Sequence, residues 1–391
     1  MDFRFSPAEE AFRAEVRAFL GDELPPGWAA SAGSGNLGEG GDDRWEFLRS
    51  FQRKLSQRGW LTLGWPLEHG GQAAGVIQQV IYNEEMAYHR APTQLGVGPD
   101  RVGPTIILYG TNEQKAKHLP GIAGAETVWC QGFSEPGAGS DLASLQTRAT
   151  IDGDSFVVNG QKIWTSLAHK ADWCILLART DPDAPKHKGI SYLLVDMRLP
   201  GITVAPLVDI TGRHSFNQIF FEDVRVPRDC LVGELNRGWY VGAATLDFER
   251  SGINRVVAGI RVYEELVAHA RETGAAGERP WVRGKLAELG IELTAGKLLA
   301  YRVASMQARG QIPNAEASMS KMYGSELQQR IASAGMQMLG LGGQLEDGRW
   351  APLAGRLEQY YLSTSALTVA AGTSEIQRNI IAGRGLGLPR D

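Results

Sequence analysis

Gln131–Leu142, QGFSEPGAGSDL, and Asp152–Ser166, DGDSFVVNGQKIWTS, set small residues, hydroxyls and a tryptophan in a stretch that reads as a β module. That set suits a bound flat cofactor. A glycine-rich run is a dinucleotide fingerprint only when a strand precedes it and a helix opens directly after it. Asp152-Gly153 and Asn159-Gly160 are hairpin dipeptides flanking Ser155–Val158, so PGAGSD leads into antiparallel strands and a Rossmann unit is disfavoured. The absence of a GxxxxGK[ST] string removes a P-loop nucleotidase.

On both sides of this module the period becomes helical. Ser6-Pro7-Ala8-Glu9 joins a cap serine, a first-turn proline and a glutamate three residues on, which starts a helix running to about Gly21. A Gly/Ser-rich loop at Ser31–Gly41 follows, then helices at Trp45–Arg58, Val76–His89 and Asn112–Leu119. Trp173–Ala178, Ile190–Val195 and Gln218–Val226 read as strands, with the polar DPDAPKHK at 181–188 crossing the surface between two of them. After Gly233, helices are expected at Tyr240–Arg271, Pro280–Arg309 and Pro313–Leu339, long enough to build a bundle. The order is α, β, α: an N-terminal helical domain over 1–129, a central β domain over 130–234 and a C-terminal bundle over 235–391.

At 391 residues, 43% hydrophobic and 21% charged, the chain is a multidomain globular protein. Forty basic against forty-four acidic residues give a net charge of −4, too balanced for an electrostatic grip on nucleic acid or an anionic membrane. Cys130, Cys174 and Cys230 show no CxxC spacing, and their odd number argues against a disulfide framework. With no signal-like N-terminus and no bilayer-length apolar run, a soluble protein of the reducing cytoplasm is expected. The seven histidines show no paired spacing, so no metal site is expected.

Five strings occur in order across these regions: GWPLEHGG (64–71), VGPTIILYGTNEQK (102–115), SEPGAGSDL (134–142), NGQKIWTS (159–166) and AGTSEIQR (371–378). Their order over nearly the whole chain resembles the acyl-CoA dehydrogenases. The resemblance implies an α+β fold with a helical N-terminal domain, a central antiparallel β-barrel or sandwich and a C-terminal helix bundle. It also implies an FAD enzyme that takes the α proton and β hydride from an acyl-CoA thioester, passing the hydride to flavin N5 and leaving a trans-2-enoyl-CoA. Such chemistry needs a base, a flavin face, and hydrogen bonds to the thioester oxygen.

Carried over by motif, the flavin contacts fall on Phe133, Ser134, Trp164, Thr165 and Ser166. Serine at 134 and 166, where many members have threonine, keeps a hydroxyl donor. Gln131 stands where an aromatic residue is common. A core indole is the ordinary fate of a lone tryptophan, but within this motif flavin contact is the better reading of Trp164. A neighbouring subunit's FAD is expected against Gln337 and Gly340, whose segment otherwise only ends a helix. The family's second cross-subunit signature, an arginine in an aromatic-glycine context, is not recognisable in Arg271–Arg283. Thr373 and Glu375 open a C-terminal helix start, with Ser374 as cap and Gln377 closing the box, whose amides suit a polar cofactor group. Ser140 and Gly372 match positions on the CoA side.

Most members carry a catalytic glutamate directly ahead of Gly-Thr, and here that position is Ala371. A subset, including isovaleryl-CoA and long-chain acyl-CoA dehydrogenases, supplies the carboxylate from an earlier helix before an arginine. LDFERSGI (246–253) offers Glu249 before Arg250. Leu246, Glu249, Ile253, Val256 and Ile260 recur at helical steps, an apolar stripe that would bury the carboxylate and raise its pKa. A surface charge pair is the usual fate of a helical glutamate, and the apolar neighbours argue against it. Asp247, Phe248 and Arg250 would then flank the acyl-CoA, and the Ala371 N–H with a flavin ribityl hydroxyl would polarise the thioester oxygen.

Three readings stay open at this point. One is a homotetrameric dehydrogenase reducing an electron-transfer flavoprotein or similar acceptor. The second is the active chain of a heterotetramer like the bacterial sterol-side-chain dehydrogenases. The third is a non-catalytic flavin- or CoA-binding paralogue.

Overall fold

The computed structural model describes residues 4–28, 42–93, 95–247 and 252–389. The chain forms two compact units, one from the described residues of Met1–Gly35, Gly75–Thr93 and Arg250–Asp391, the other from those of Asn36–Ala74 and Gln94–Glu249.

The second unit is built on one sheet, whose strands among the described residues are β1 (Trp129–Gly132), β2 (Arg148–Asp152), β3 (Ser155–Lys162), β4 (Trp173–Arg179), β5 (Ile190–Asp196), β6 (Ile202–Leu207), β7 (Phe216–Pro227) and β8 (Leu231–Val232). They run in the order β6-β7-β3-β2-β4-β5-β8, with β1 joined to β4 off this path. The central domain is therefore an open sheet rather than a closed barrel. Most pairs are antiparallel, but β1–β4 and the single β2–β4 contact at Arg148 and Arg179 are parallel. β4 and β5 are continuous apolar runs buried along nearly their whole length, as strands covered on both faces must be.

The two hairpin dipeptides meet different fates. Asp152-Gly153 does precede a two-residue connection, since Asp152 pairs with Ser155. Asn159-Gly160 instead lies inside β3, where the register to β7 slips between Val158 and Gly160. Glycine is required there because a Cβ would stand 2.7 Å from the Thr147 Cα. The signal marks a bulge, not a turn.

The first unit is helical. α1 (Pro7–Glu23) starts on the expected Ser6/Glu9 capping box. α2 (Val76–Tyr88) packs with α3 (Ile253–Glu272) and α4 (Pro280–Ala308) around Val80, Ile253, Val257 and Ala300, while α3 and α4 pack with α5 (Asn314–Leu339) around Val256, Leu289, Leu293, Leu327 and Ile331. The expected single helix from Tyr240 to Arg271 is two. One is described over Gly238–Asp247 in the other unit, and α3 begins at Ile253 after Gly252, whose φ of 68° is left-handed and breaks helical phase. The helical phase is therefore not carried unbroken through Gly252, and the expected burial of Glu249 itself lies outside the described residues.

Candidate functional site

In the sheet unit, the two halves of the opening motif are brought side by side. The Ile163 N–H donates to the Ser134 carbonyl at 2.9 Å. The next residues turn away from β3 with Trp164 at φ 60° and Leu167 at φ 57°. This leaves the Trp164 indole 56% exposed, edge-on to Phe216 at 5.7 Å. Thr165 is buried, and its Oγ1 has no partner among the described residues. Its backbone is pinned by Asn217, which is fully buried and exchanges both backbone hydrogen bonds with Thr165. The Asn217 Nδ2 also donates to the Thr165 carbonyl at 3.0 Å, while its Oδ1 faces the stacked imidazoles of His169 and His214 at 3.2 and 2.7 Å. Burial, then the neighbouring His214, lowers the His169 pKa.

Ser134 is half-buried and Ser166 exposed, whereas the Phe133 ring is inside, edge-on to Tyr192. Phe133 offers its backbone rather than its ring. Ser140 lies exposed beyond a tight turn in which Glu135 and Ala138 exchange backbone hydrogen bonds.

Beneath this loop lies an ion pair that motif reading did not assign. The Lys162 Nζ donates to Glu135 Oε1 at 2.8 Å and to the Phe133 carbonyl at 3.0 Å. The Gln146 and Thr147 N–H groups donate to the same carboxylate at 2.6 and 2.9 Å. Burial draws Lys162 down to about 8 against the pull of Glu135. Burial works to raise the Glu135 carboxyl, but the Lys162 ammonium and the amide donors hold it below its ordinary value. A signal was present: 162 shares the inward parity of Phe156 and Val158 on β3.

In the helical unit, the AGTSEIQR segment forms a strained turn followed by α6 (Ser374–Ile380). Ala371 has φ 54° and Gly372 φ 84°. The helix cap is Thr373, whose hydroxyl accepts from the Ile376 N–H at 3.2 Å, not Ser374 as the sequence implied. A capping side chain must sit outside the helix with extended backbone, and Thr373 at φ −61°, ψ 162° does. Ser374 lies within the first turn, buried, its Oγ without a partner among the described residues. Gln377 closes no box, and its Nε2 donates to the carbonyls of Ala371 and Gly372 at 3.3 and 3.4 Å. Glu375 is exposed, its carboxyl held low by its own backbone amide and the Thr373 hydroxyl.

Gln337 is exposed near the end of α5, where Gly340 at φ 61°, ψ −141° stops the helix. Lys321 of the same helix reaches Gly372, so Gln337 stands 16 residues further along, roughly 24 Å from that anchor. One chain does not gather Gln337 and the Ala371 turn into one site. Phe248, Glu249 and Arg250 lie outside the described residues, and Asp247 is described only as the last backbone position of its helix. No group of three or more metal-ligating side chains occurs among the described residues.

The comparisons bear on all of these segments. Models of the acyl-CoA dehydrogenase N-terminal, middle and C-terminal domains match residues 6–126, 130–224 and 236–386. This chain belongs to the acyl-CoA dehydrogenase family. Acyl-CoA dehydrogenase IpdE1 of Mycobacterium tuberculosis is 40% identical to it over 98% of each chain. The solved Tcur3481-Tcur3483 steroid ACAD matches with a TM-score of 0.91 at 37% identity, covering 100% of both chains. The ChsE4-ChsE5 complex from Mycobacterium tuberculosis matches at 0.88 and 36% identity, again over 100% of both. This acyl-CoA dehydrogenase is an oxidoreductase whose cofactor is FAD.

The residues present fit that cofactor. An outward-facing indole beside a buried hydroxyl with no partner among the described residues leaves one flat apolar surface and one hydrogen-bonding group unsatisfied, as a bound isoalloxazine ring needs.

Proposed function

We propose that the chain dehydrogenates an acyl-CoA thioester between its α and β carbons, giving the trans-2-enoyl-CoA. Glu249 removes the α proton, and the Ala371 N–H donates to the thioester oxygen as enolate charge develops. When bound, FAD supplies the acceptor for the β hydride. Ser134, Trp164, Thr165 and Ser166 hold and orient it; Thr373, Glu375 and the Phe133 backbone complete its surroundings. Ser140, Asp247, Phe248, Arg250 and Gly372 line the acyl-CoA.

The observation that carries this reading is the turn at Ala371. A methyl group stands at the position where most of the family carries its base, on a backbone held at φ 54° with its N–H retained. The chain thus keeps the donor and moves the proton acceptor. With the helix broken at Gly252, support for Glu249 rests on its place before Arg250 and on the vacancy at 371.

The acyl group is best read as a bulky, steroid-type one, because the solved relative with a TM-score of 0.91 is described as a steroid ACAD. Both that structure and ChsE4-ChsE5 name two components, which favours a heterotetramer in which this chain is the active partner over a homotetramer. The separation of Gln337 and Gly340 from the Ala371 turn supports their serving a neighbouring subunit's FAD. We place the enzyme in a β-oxidation type of chain shortening in the cytoplasm, with an electron-transfer flavoprotein as acceptor; three buried free thiols accord with a reducing compartment.

The test is anaerobic bleaching of the flavin band against short, branched, long and steroid-type acyl-CoA thioesters. Wild type is expected to bleach with at least one class, while Glu249→Gln retains FAD and loses bleaching by about 100-fold or more. Undiminished bleaching by the variant refutes the base, and no bleaching by wild type with any thioester favours the non-catalytic reading. Native mass with FAD stoichiometry separates a self-sufficient oligomer from half of a mixed one.

A further inference from the structure

Lys321 lies on α5, and motif reading gave it no role; it is 93% buried. Lysine is almost never so buried unless its ammonium is compensated. Here it donates to two backbone carbonyls, Leu367 at 3.1 Å and Gly372 at 2.6 Å. These two carbonyls bracket the segment Thr368–Ala371, so a single ammonium ties both ends of the turn that presents Ala371.

Two further facts show what this tie holds. Ala371 is a non-glycine residue at φ 54°, a conformation that costs roughly 1 kcal/mol and persists only where the surroundings over-determine it. Its carbonyl side is held by Gln377 and the following carbonyl by Lys321, while its N–H donates to no described residue. The same face of α5 carries Gln329, two turns on, whose Nε2 donates to the Thr364 carbonyl and the Thr368 hydroxyl. The helix therefore grips the approach to the turn as well as its end, and leaves the Ala371 amide as the group directed by the grip.

We infer that Lys321 is a positioning residue for enolate stabilisation: it fixes the Ala371 turn so that its N–H meets the thioester oxygen, and sets a buried positive charge behind the group that bears the developing negative charge. This rests on the proposed role of the Ala371 amide. An uncharged residue of the same length would take this donor from the Leu367 carbonyl, leave the Gly372 carbonyl with only the longer 3.4 Å contact to Gln377, and let the turn relax. A displacement of about 1 Å in such a donor costs on the order of 100-fold in rate, and an oxyanion donor gains its strength in the transition state rather than in substrate binding.

The experiment compares wild type, Lys321→Met and Lys321→Arg in rapid flavin reduction by whichever acyl-CoA bleaches wild type most strongly in the screen above, with FAD content and thermal midpoint measured alongside. Lys321→Met is expected to slow reduction by about 10- to 100-fold at saturating substrate, with KM and FAD content within about twofold. Lys321→Arg, which keeps donors and charge, is expected to restore most of the rate. If Lys321→Met does not fold, Lys321→Gln, which keeps N–H donors without the charge, takes its place in the same comparison. Equal losses in rate, substrate binding and FAD retention, with no recovery by arginine, would mark a merely structural lysine and overturn the inference. A Met or Gln variant that reduces at the wild-type rate overturns it alone, whereas a wild type reduced by no thioester overturns it together with the proposed function.

Discussion

The Lys162 ammonium lies 2.8 Å from the Glu135 carboxylate, and neither side chain is more than 6% exposed. This pair joins the last residue of β3 to the loop that carries Ser134, so the two halves of the flavin motif depend on it for their spacing. Removing one partner leaves the other charge buried and uncompensated, which costs about 3–5 kcal/mol. Glu135→Ala and Lys162→Met are each expected to lose that much in chemical denaturation of the FAD-loaded protein. Glu135→Gln with Lys162→Met is expected to recover part of it, because no bare charge remains. Single losses under about 1 kcal/mol would remove the pair from any structural role.

Substitution of Thr165 is expected to separate cofactor binding from folding. Its Oγ1 is buried without a partner among the described residues, so Thr165→Val removes an unsatisfied polar atom at constant shape. Apoprotein stability is expected to hold or rise, while FAD binding weakens by about 1–2 kcal/mol, some 5- to 30-fold. Titration of apoprotein with FAD and a thermal melt of each form check both signs. Unchanged FAD affinity would take the hydroxyl out of the site.

His118 is expected to make the sheet unit acid-sensitive. Its ring packs edge-on to Trp129 at 5.3 Å and Trp173 at 4.7 Å, and burial, with Lys117 adding, draws its pKa from 6.5 to about 4. Between those values the unfolded chain takes up a proton that the native state does not. Stability contributed by this residue is therefore complete above pH 6.5 and is lost as pH falls toward 4, at up to about 1.4 kcal/mol per unit. His118→Phe is expected to flatten the denaturation free energy across that window. An unchanged slope would assign the acid sensitivity elsewhere.

Ala371 should tolerate glycine better than any other change. At φ 54° glycine relieves strain of roughly 1 kcal/mol but adds unfolded-state entropy of similar size, so Ala371→Gly is expected within about 0.5 kcal/mol of wild type. Ala371→Val, β-branched in a left-handed turn, is expected to cost more than 1 kcal/mol. Thermal melts in the presence of FAD order the three proteins.

Much of the site was legible because it is local. SEPGAGSDL and KIWTS supplied the candidate flavin residues, and the bond from the Ile163 N–H to the Ser134 carbonyl sets the two segments side by side. Helix starts were readable where a cap and its partner lie three residues apart, as at Ser6 and Glu9. The cap at Thr373 was misplaced by one residue, since Thr and Ser both cap and only backbone dihedrals choose between them.

The amino-acid sequence alone determined the family, the cofactor, the α, β, α order and the missing carboxylate at 371, all of which reside in residue identity and short-range period. Only tertiary structure decided that Gly252 interrupts a helix the pattern continued, that Asn159-Gly160 is a bulge against Thr147, that Lys162 and Glu135 meet across 27 residues, and that Lys321 clasps Leu367 and Gly372. Each of these turns on a left-handed backbone or on a partner distant in the chain, and neither leaves a periodic trace among sequence neighbours.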